Sequence, residues 1–294
     1  MTHHAHDHGQ SHDHHHAEGL LPHGDHADDT TLAELLDLDP HALADSWARI
    51  HAVVAAAVTG PPTTVVDLGA GTGTGSLALA GLFPSATVVA VDSNPAMPER
   101  VAVTAADLPA GRVRAVVADL DDGWPDLGPV DVVWASMALH HLGDPDRTLR
   151  EVFDATVPGG VIVAVEFDAP VRVLTPGALD GLVDRAHAAM AAVHRERVPE
   201  IGSAWAARFA AAGFTVDTDE TVTIDVRAPL TDAAVRYAQL WLGRMAAGVD
   251  GRLDPADVAT LARLGTLDGI TAAVGRGDVH LHGARTVTVG RRRP

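Results

Sequence analysis

The sequence predicts an α/β protein built around a mostly parallel sheet, and three observations carry that prediction. Short β-branched runs recur at 63–67, 87–91, 113–117, 130–134 and 161–166, with helical stretches between them, most clearly at 75–82 and 146–156. These runs are apolar throughout rather than alternating, as strands are when helices cover both faces of a sheet. The first run leads into VVDLGAGTGTG (Val65–Gly75), whose glycines stand at every second position from Gly69.

Each element follows in order. Residues 1–29 hold His, Asp, Gly and Ala in low complexity, with nothing to build a core, and are expected to be a disordered tail. Residues 30–62 are expected to be N-terminal helices at Leu32–Leu38 and Ala42–Val58. In the second of these, Trp47, Ile50, Val54 and Val58 share one face, and Gly60-Pro61-Pro62 ends it. Residues 63–230 form the expected core. Pro158-Gly159-Gly160 turns into the fifth strand, and Thr175-Pro176 opens a long helix to about Arg197. A further helix is read at 203–212 and a strand at 214–226. Residues 231–283 read as a helical insertion, with Asp254-Pro255 as a start signal. The last strand (284–290) lies in 284–294, which ends in a basic run. An insertion at this place is expected to be a lid over a site or a homodimer interface carrying Leu240, Trp241, Leu242 and Met245.

Composition narrows the function. The chain has 294 residues, a formal charge of −18, no cysteine and no lysine. Disulfides, thiolate metal sites and thiol nucleophiles are therefore excluded. Six acidic residues and no arginine lie in 1–29, so the remainder is also strongly acidic, which disfavours a nucleic-acid partner. No apolar run reaches membrane-span length, and the N-terminus lacks a signal-peptide pattern, so the expected location is cytoplasmic. The expected acceptor is a small, uncharged or cationic organic molecule.

The glycines identify the ligand class. A strand end followed by glycines and a helix start brings backbone N–H groups to a ligand. The dinucleotide fingerprint G-x-G-x-x-G fails from either Gly69 or Gly71, since its third position falls on Thr74 or Ser76. The P-loop fails for want of lysine. What remains is Asp67-x-Gly69-x-Gly71-x-Gly73, a backbone bare enough to admit a bulky ligand edge-on. Asp67 stands ready to accept from an ammonium or to hold the loop. Asp92, beside Ser93, ends the second strand, where a carboxylate can grip ribose hydroxyls. Asp119 follows the third strand, where it can accept from an adenine amine, with Leu120 offering its backbone.

With VDVVWASMALHHL (Val130–Leu142) following as the fourth strand and loop, these four motifs stand in register from Thr63 to Phe167, and in them the sequence resembles the class I S-adenosylmethionine-dependent methyltransferases. The resemblance implies a Rossmann-like seven-stranded sheet of order 3-2-1-4-5-7-6 with the last strand antiparallel. It implies S-adenosyl-L-methionine as cofactor and S-adenosyl-L-homocysteine as product, with no metal required. Gly69, Gly71 and Gly73 would pack against the methionine part. Asp92 would hold the ribose, Asp119 and Leu120 the adenine, and Ala135 and Ser136 would line the sulfonium side.

The expected activity is O-, N- or C-methylation of a small organic acceptor. Placement supplies most of the catalysis, because the cofactor carries the reactivity. His140 and His141 follow the fourth strand as candidate bases or acceptor-orienting groups. Glu166, with Asp168, is a weaker candidate at the end of the fifth. Trp47, Glu166, Tyr237 and Trp241 are candidates to line the acceptor pocket, with Trp134 beside them. His3, His4, His6, His8, His12, His14, His15 and His16 would bind transition metals non-specifically. Two alternatives stay open: a non-catalytic or metal-responsive binding protein on this fold, or a natural-product enzyme using it for another reaction such as cyclisation.

Overall fold

Strand β1 (Thr64–Leu68) sits centrally because Val65, Val66 and Leu68 leave no surface exposed on either face. The computed structural model describes residues 25–198 and 200–294, so the histidine-rich segment and its candidate metal ligands lie outside the described residues. Around β1 stand β2 (Thr87–Asp92), β3 (Val113–Val117), β4 (Val130–Ser136), β5 (Thr156–Leu174), β6 (Thr215–Val226) and β7 (Val279–Arg291). They form one seven-stranded sheet of order β3-β2-β1-β4-β5-β7-β6. Pairings from β3 through β5 are parallel, and β7 runs antiparallel to both β5 and β6. This is the order and direction that the sequence led us to expect. The edge strand β6 alternates, burying Val222 and Ile224 and turning Thr and acidic residues outward. That charged exposure protects an edge from pairing with another chain.

The helices are α1 (Asp25–Ala42), α2 (Ala44–Ala57), α3 (Thr74–Leu82), α4 (Met97–Thr104), α5 (Pro145–Ala155), α6 (Leu182–Arg197), α7 (Trp205–Ala212), α8 (Asp232–Gly248), α9 (Pro255–Leu264) and α10 (Leu267–Gly275). Their starts are written locally. Asp144 caps α5 and Asp254 caps α9, each ahead of a proline, while Thr231 and Thr266 cap α8 and α10. On one face of the sheet α2 and α3 bury Ile50, Val54 and Leu79 against Val65 and Val163. On the other, α5 and α7 bury Leu149, Val152 and Phe209 against Val66 and Ile162.

Several boundaries differ from expectation. Helix α1 is one long element that starts at Asp25, inside the stretch expected to be tail, and carries Pro40 in its last turn. Helix α6 begins at Leu182, after a single 3-10 turn, rather than directly behind Thr175-Pro176. The fifth strand is far longer than 161–166. Pro158-Gly159-Gly160 makes a bulge at its start, where the register with β4 jumps from Val130↔Thr156 to Val132↔Val161. At its far end it runs on beside β7, through Arg172↔His282 and Leu174↔Val279. These extensions carry a second core, in which Val171, Val173, Leu174 and Leu281 pack with Leu35 and Leu43 and with Tyr237, Leu242 and Met245 of α8. The insertion and the N-terminal helix are thus one cap, built on strands that continue upward from the sheet. Leu242 and Met245 lie inside this core, and Leu240 and Trp241 pack against it, so these side chains serve the protomer's own interior.

Candidate active site

The site lies where open α/β sheets place ligands, beyond the carboxyl ends of the parallel strands. The loop after β1 begins there with Gly69 and Ala70 donating to the Val91 carbonyl at 2.9 and 3.1 Å. Gly69, Gly71 and Gly73 adopt φ of +66°, +54° and +84°, a conformation that L side chains rarely adopt. The period-two spacing therefore reflects a backbone that turns left-handed at every second residue. A Cβ at Gly69 would also lie 2.6 Å from that of Ala138, which fixes how close the loops after β1 and β4 approach.

A cavity of about 420 Å³ opens above these loops. Asp67, Gly69, Gly71, Asp92, Ser93, Asp119 and Leu120 line one end, and Ser136, His141, Phe167, Trp47, Tyr237 and Trp241 line the other. Most of the residues expected to touch ligand thus share one wall. Five do not border the cavity, one of them Asp168, which is exposed and accepts from the Thr221 hydroxyl. Gly73 instead caps α3, and a Cβ there would meet Val101 of α4 at 2.9 Å. Ala135 is fully buried in the core under the sheet. His140 and Glu166 also lie outside its lining: Glu166 alternates with Phe167 along β5, and the His140 ring packs against Phe167 with centroids 5.5 Å apart.

The carboxylates at the strand ends have distinct surroundings. Asp67 is buried and accepts from the Ser76 hydroxyl at 2.6 Å. Burial pushes its carboxyl up to about 7; the Ser76 hydrogen bond opposes that shift and the nearby Asp92 charge adds to it. Asp92 accepts from the Gly71 N–H (2.8 Å) through one oxygen and from the Asn94 N–H (2.9 Å) through the other, stitching two loops together. Each oxygen keeps a further lone pair for a ligand hydroxyl. Asp119 accepts from the Asp121 N–H at 2.9 Å, and Arg147 donates to the Leu120 carbonyl at 2.7 Å.

Glu166 holds the loop after β4. Its Oε1 accepts from the Leu139 N–H at 2.9 Å and its Oε2 lies 2.5 Å from His140 Nδ1, with both side chains buried. This pair sets the turn that presents His141 to the cavity.

The other end is aromatic and carries residues that sequence reasoning missed. Trp47, His51 and Trp134 cluster with ring centroids 5.6–6.4 Å apart. Burial lowers the His51 pKa, which favours its neutral form. Asp39 accepts from Trp47 Nε1 (2.7 Å) and Arg285 Nη2 (2.6 Å), and it also bonds the Tyr237 hydroxyl. The Arg285 guanidinium lies over the Trp47 ring at 4.9 Å. Helix α1 closes over both ends. Leu36 stands 3.6 Å from where a Gly71 Cβ would be, Thr74 donates to Asp37 at 2.6 Å, and Glu34 pairs with Arg236 of α8 at 2.7 Å.

Comparison with known proteins agrees with this geometry. Residues 65–160 match the family described as Methyltransferase domain, a stretch running from β1 to the bulge that opens β5. Over 101 residues the chain is 35% identical to trans-aconitate 2-methyltransferase of Methylobacterium radiotolerans, covering 34% of this chain and 36% of that one. Over 98 residues it is 38% identical to malonyl-[acyl-carrier protein] O-methyltransferase of Laribacter hongkongensis, covering 31% and 32%. The chain thus spans about a third of the length of these relatives. Among solved structures, the YcgJ protein from Bacillus subtilis superposes with a TM-score of 0.52 at 18% identity, covering 84% of this chain and 99% of that one. The [4+2]-cyclase SpnF superposes with a TM-score of 0.50 at 21% identity, covering 84% and 81%. These two likenesses concern the fold alone. The stretch that matches is thus similar to methyltransferase domains, and the curated relatives aligned with it are themselves methyltransferases. No described helix is long and apolar enough to cross a membrane.

Proposed function

We propose that the protein is an S-adenosylmethionine-dependent methyltransferase acting on a small organic molecule. One observation carries this reading: Asp67, Asp92 and Asp119 border one end of a cavity whose other end is aromatic and roofed by α1 and α8. The residues present fit the cofactor. Asp67 is a buried carboxylate held near neutrality, and a ligand ammonium would restore its charge. Asp92 has acceptor capacity left for two ribose hydroxyls. Asp119 and Leu120 stand beyond it along the sheet, toward β3, on the side suited to adenine. When bound, the cofactor supplies an electrophilic methyl group on a sulfonium.

The chain's own part is to orient the acceptor and exclude water. Trp47, Trp134, Phe167 and Trp241 wall the acceptor end, and the cap covers it. His51 and His141 are the imidazoles that border the cavity, so a proton leaving the acceptor would pass to one of these rather than to His140. Relatives named for trans-aconitate and for a malonyl group support an acceptor of small size.

Calorimetry provides the test. S-adenosylmethionine and S-adenosylhomocysteine should bind and NAD should not. Asp92→Ala should weaken S-adenosylhomocysteine by roughly 1.5–3 kcal/mol for each charge-assisted hydrogen bond lost. Equal affinity in wild type and variant would remove the ribose assignment. Mass spectrometry of products from an acceptor panel would then identify the methylated atom.

A further inference from the structure

Arg285 is a charge placed deep in the cavity wall with its hydrogen bonding half complete. It is 2% exposed, on β7, opposite Phe167 of β5 in the register, and both side chains line the cavity. Its Nη2 donates to Asp39, but its Nε and Nη1 have no acceptor among the described residues. Guanidinium does not shed its proton in proteins, so the charge stays, and buried donors left unserved are costly. Asp39 cannot turn to serve them. Its oxygens already take Trp47 Nε1, Arg285 Nη2 and the Tyr237 hydroxyl. Arg285 itself is held in place by the Trp47 ring beneath it.

A second observation points the same way. Trp241 Nε1 and Trp134 Nε1 also line this cavity, are buried, and have no hydrogen-bond partner among the described residues. Indole, like guanidinium, donates and never accepts. These three cavity-lining residues thus carry buried donors without an acceptor among the described residues, and Arg285 carries two of them. An amine or ammonium would meet donors with more donors. A lone carbonyl would serve one of the two unserved Arg285 nitrogens. An ionised carboxylate also answers the positive charge, and its two oxygens can bridge Nε or Nη1 with the Nη2 proton that Asp39 leaves free.

We propose that the acceptor is an organic acid with an apolar body, and that Arg285 is the residue that holds its carboxylate. This rests on the methyltransferase reading and narrows it. It also reverses the expectation of an uncharged or cationic acceptor. Net charge does not describe the acceptor end of a covered cavity, where two buried arginines, Arg285 and Arg244, stand among the lining residues. Phe167, Val171 and Trp47 supply the apolar contact for the rest of the molecule.

The test uses the full chain with S-adenosylhomocysteine present, and tryptophan fluorescence titrated with acid–amide pairs. The probes are hexanoate and hexanamide, benzoate and benzamide, cinnamate and cinnamamide, and trans-aconitate and its triamide. At least one acid should bind about tenfold to a hundredfold tighter than its amide. Removing Arg285 alone would strand Asp39 in the interior, so the variant is the neutral pair Asp39→Asn with Arg285→Gln. It should keep its circular dichroism and its S-adenosylhomocysteine affinity while losing the preference for acid over amide. If no acid exceeds its amide, or if the double variant keeps the preference, the proposal is overturned. If wild type binds no S-adenosylhomocysteine, the methyltransferase reading fails instead, and the acid–amide comparison in its absence still decides the role of Arg285.

Discussion

Asp67 turns a fold position into a measurable proton. Its carboxyl titrates at about 7 when folded, against 3.8 for the free group, because burial disfavours the charged form. A raised carboxyl stabilises the fold below its unfolded value and loses that contribution as pH rises from about 4 to about 7. A cationic ligand group beside it reverses the shift. S-adenosylhomocysteine binding at about pH 6 should therefore release close to one proton, by the same linkage. Calorimetry in buffers of different ionisation enthalpy reads that number directly, and Asp67→Asn should abolish the release. Proton uptake, or none in wild type, would show that Asp67 only holds the Ser76 turn. Residue-scale features like this one were legible because they are local: Asp67, Asp92 and Asp119 end strands visible as apolar runs, and a carboxylate there meets the ligand end of the sheet. Asp39 and Arg285 were not legible, because 246 residues separate them and no local pattern links them. His140 and Glu166 were singled out as candidates, and the structure pairs them with each other just outside the cavity lining. The alternation of β5 held the missing signal, since Val163, Val165 and Phe167 share a face that Glu166 cannot share.

Helix α8 is the element on which the acceptor end depends. Its Tyr237 and Trp241 rings stack at 6.2 Å with 7° between planes, and both border the cavity. Shortening Trp241 to alanine should raise the acceptor KM or lower kcat by at least about tenfold, the scale of a lost aromatic wall. It should leave S-adenosylhomocysteine affinity nearly unchanged, because the strand-end carboxylates stay in place. Steady-state kinetics and oligomeric mass measured side by side separate a lid from an interface. Unchanged kinetics with a shift from dimer to monomer would overturn the lid. The sequence exposed the insertion through its Asp254-Pro255 start signal and the apolar residues Leu240, Trp241, Leu242 and Met245. It did not reveal that β5 and β7 run past the sheet to meet it, because nothing in a β-branched run marks where a strand leaves its own layer. Fold class and strand order were therefore readable, whereas the architecture of the cap depended on pairings such as Leu174↔Val279.

For the whole molecule, the placement of α1 has a kinetic consequence. Two of the cap's supports, β5 and β7, are continuous with the sheet, so the cap's floor is tied to the core through strand pairing that runs on, with register shifts after Phe167, to Leu174↔Val279. Helix α1 is held to its neighbours by side chains, through Glu34–Arg236, Asp37–Thr74 and Asp39–Arg285. Contacts of that kind open more readily than strand ladders do. The same helix covers Gly71 at one end of the cavity and borders Arg285 at the other. Both ligands of a methyl transfer would then share a single doorway, and neither product could depart while the helix stayed down. Such an arrangement imposes a queue. Initial-rate plots should intersect rather than run parallel, and the product seated deeper should leave second. Loosening the doorway with Glu34→Gln should speed release of both products together, which stopped-flow fluorescence of Trp47 would follow.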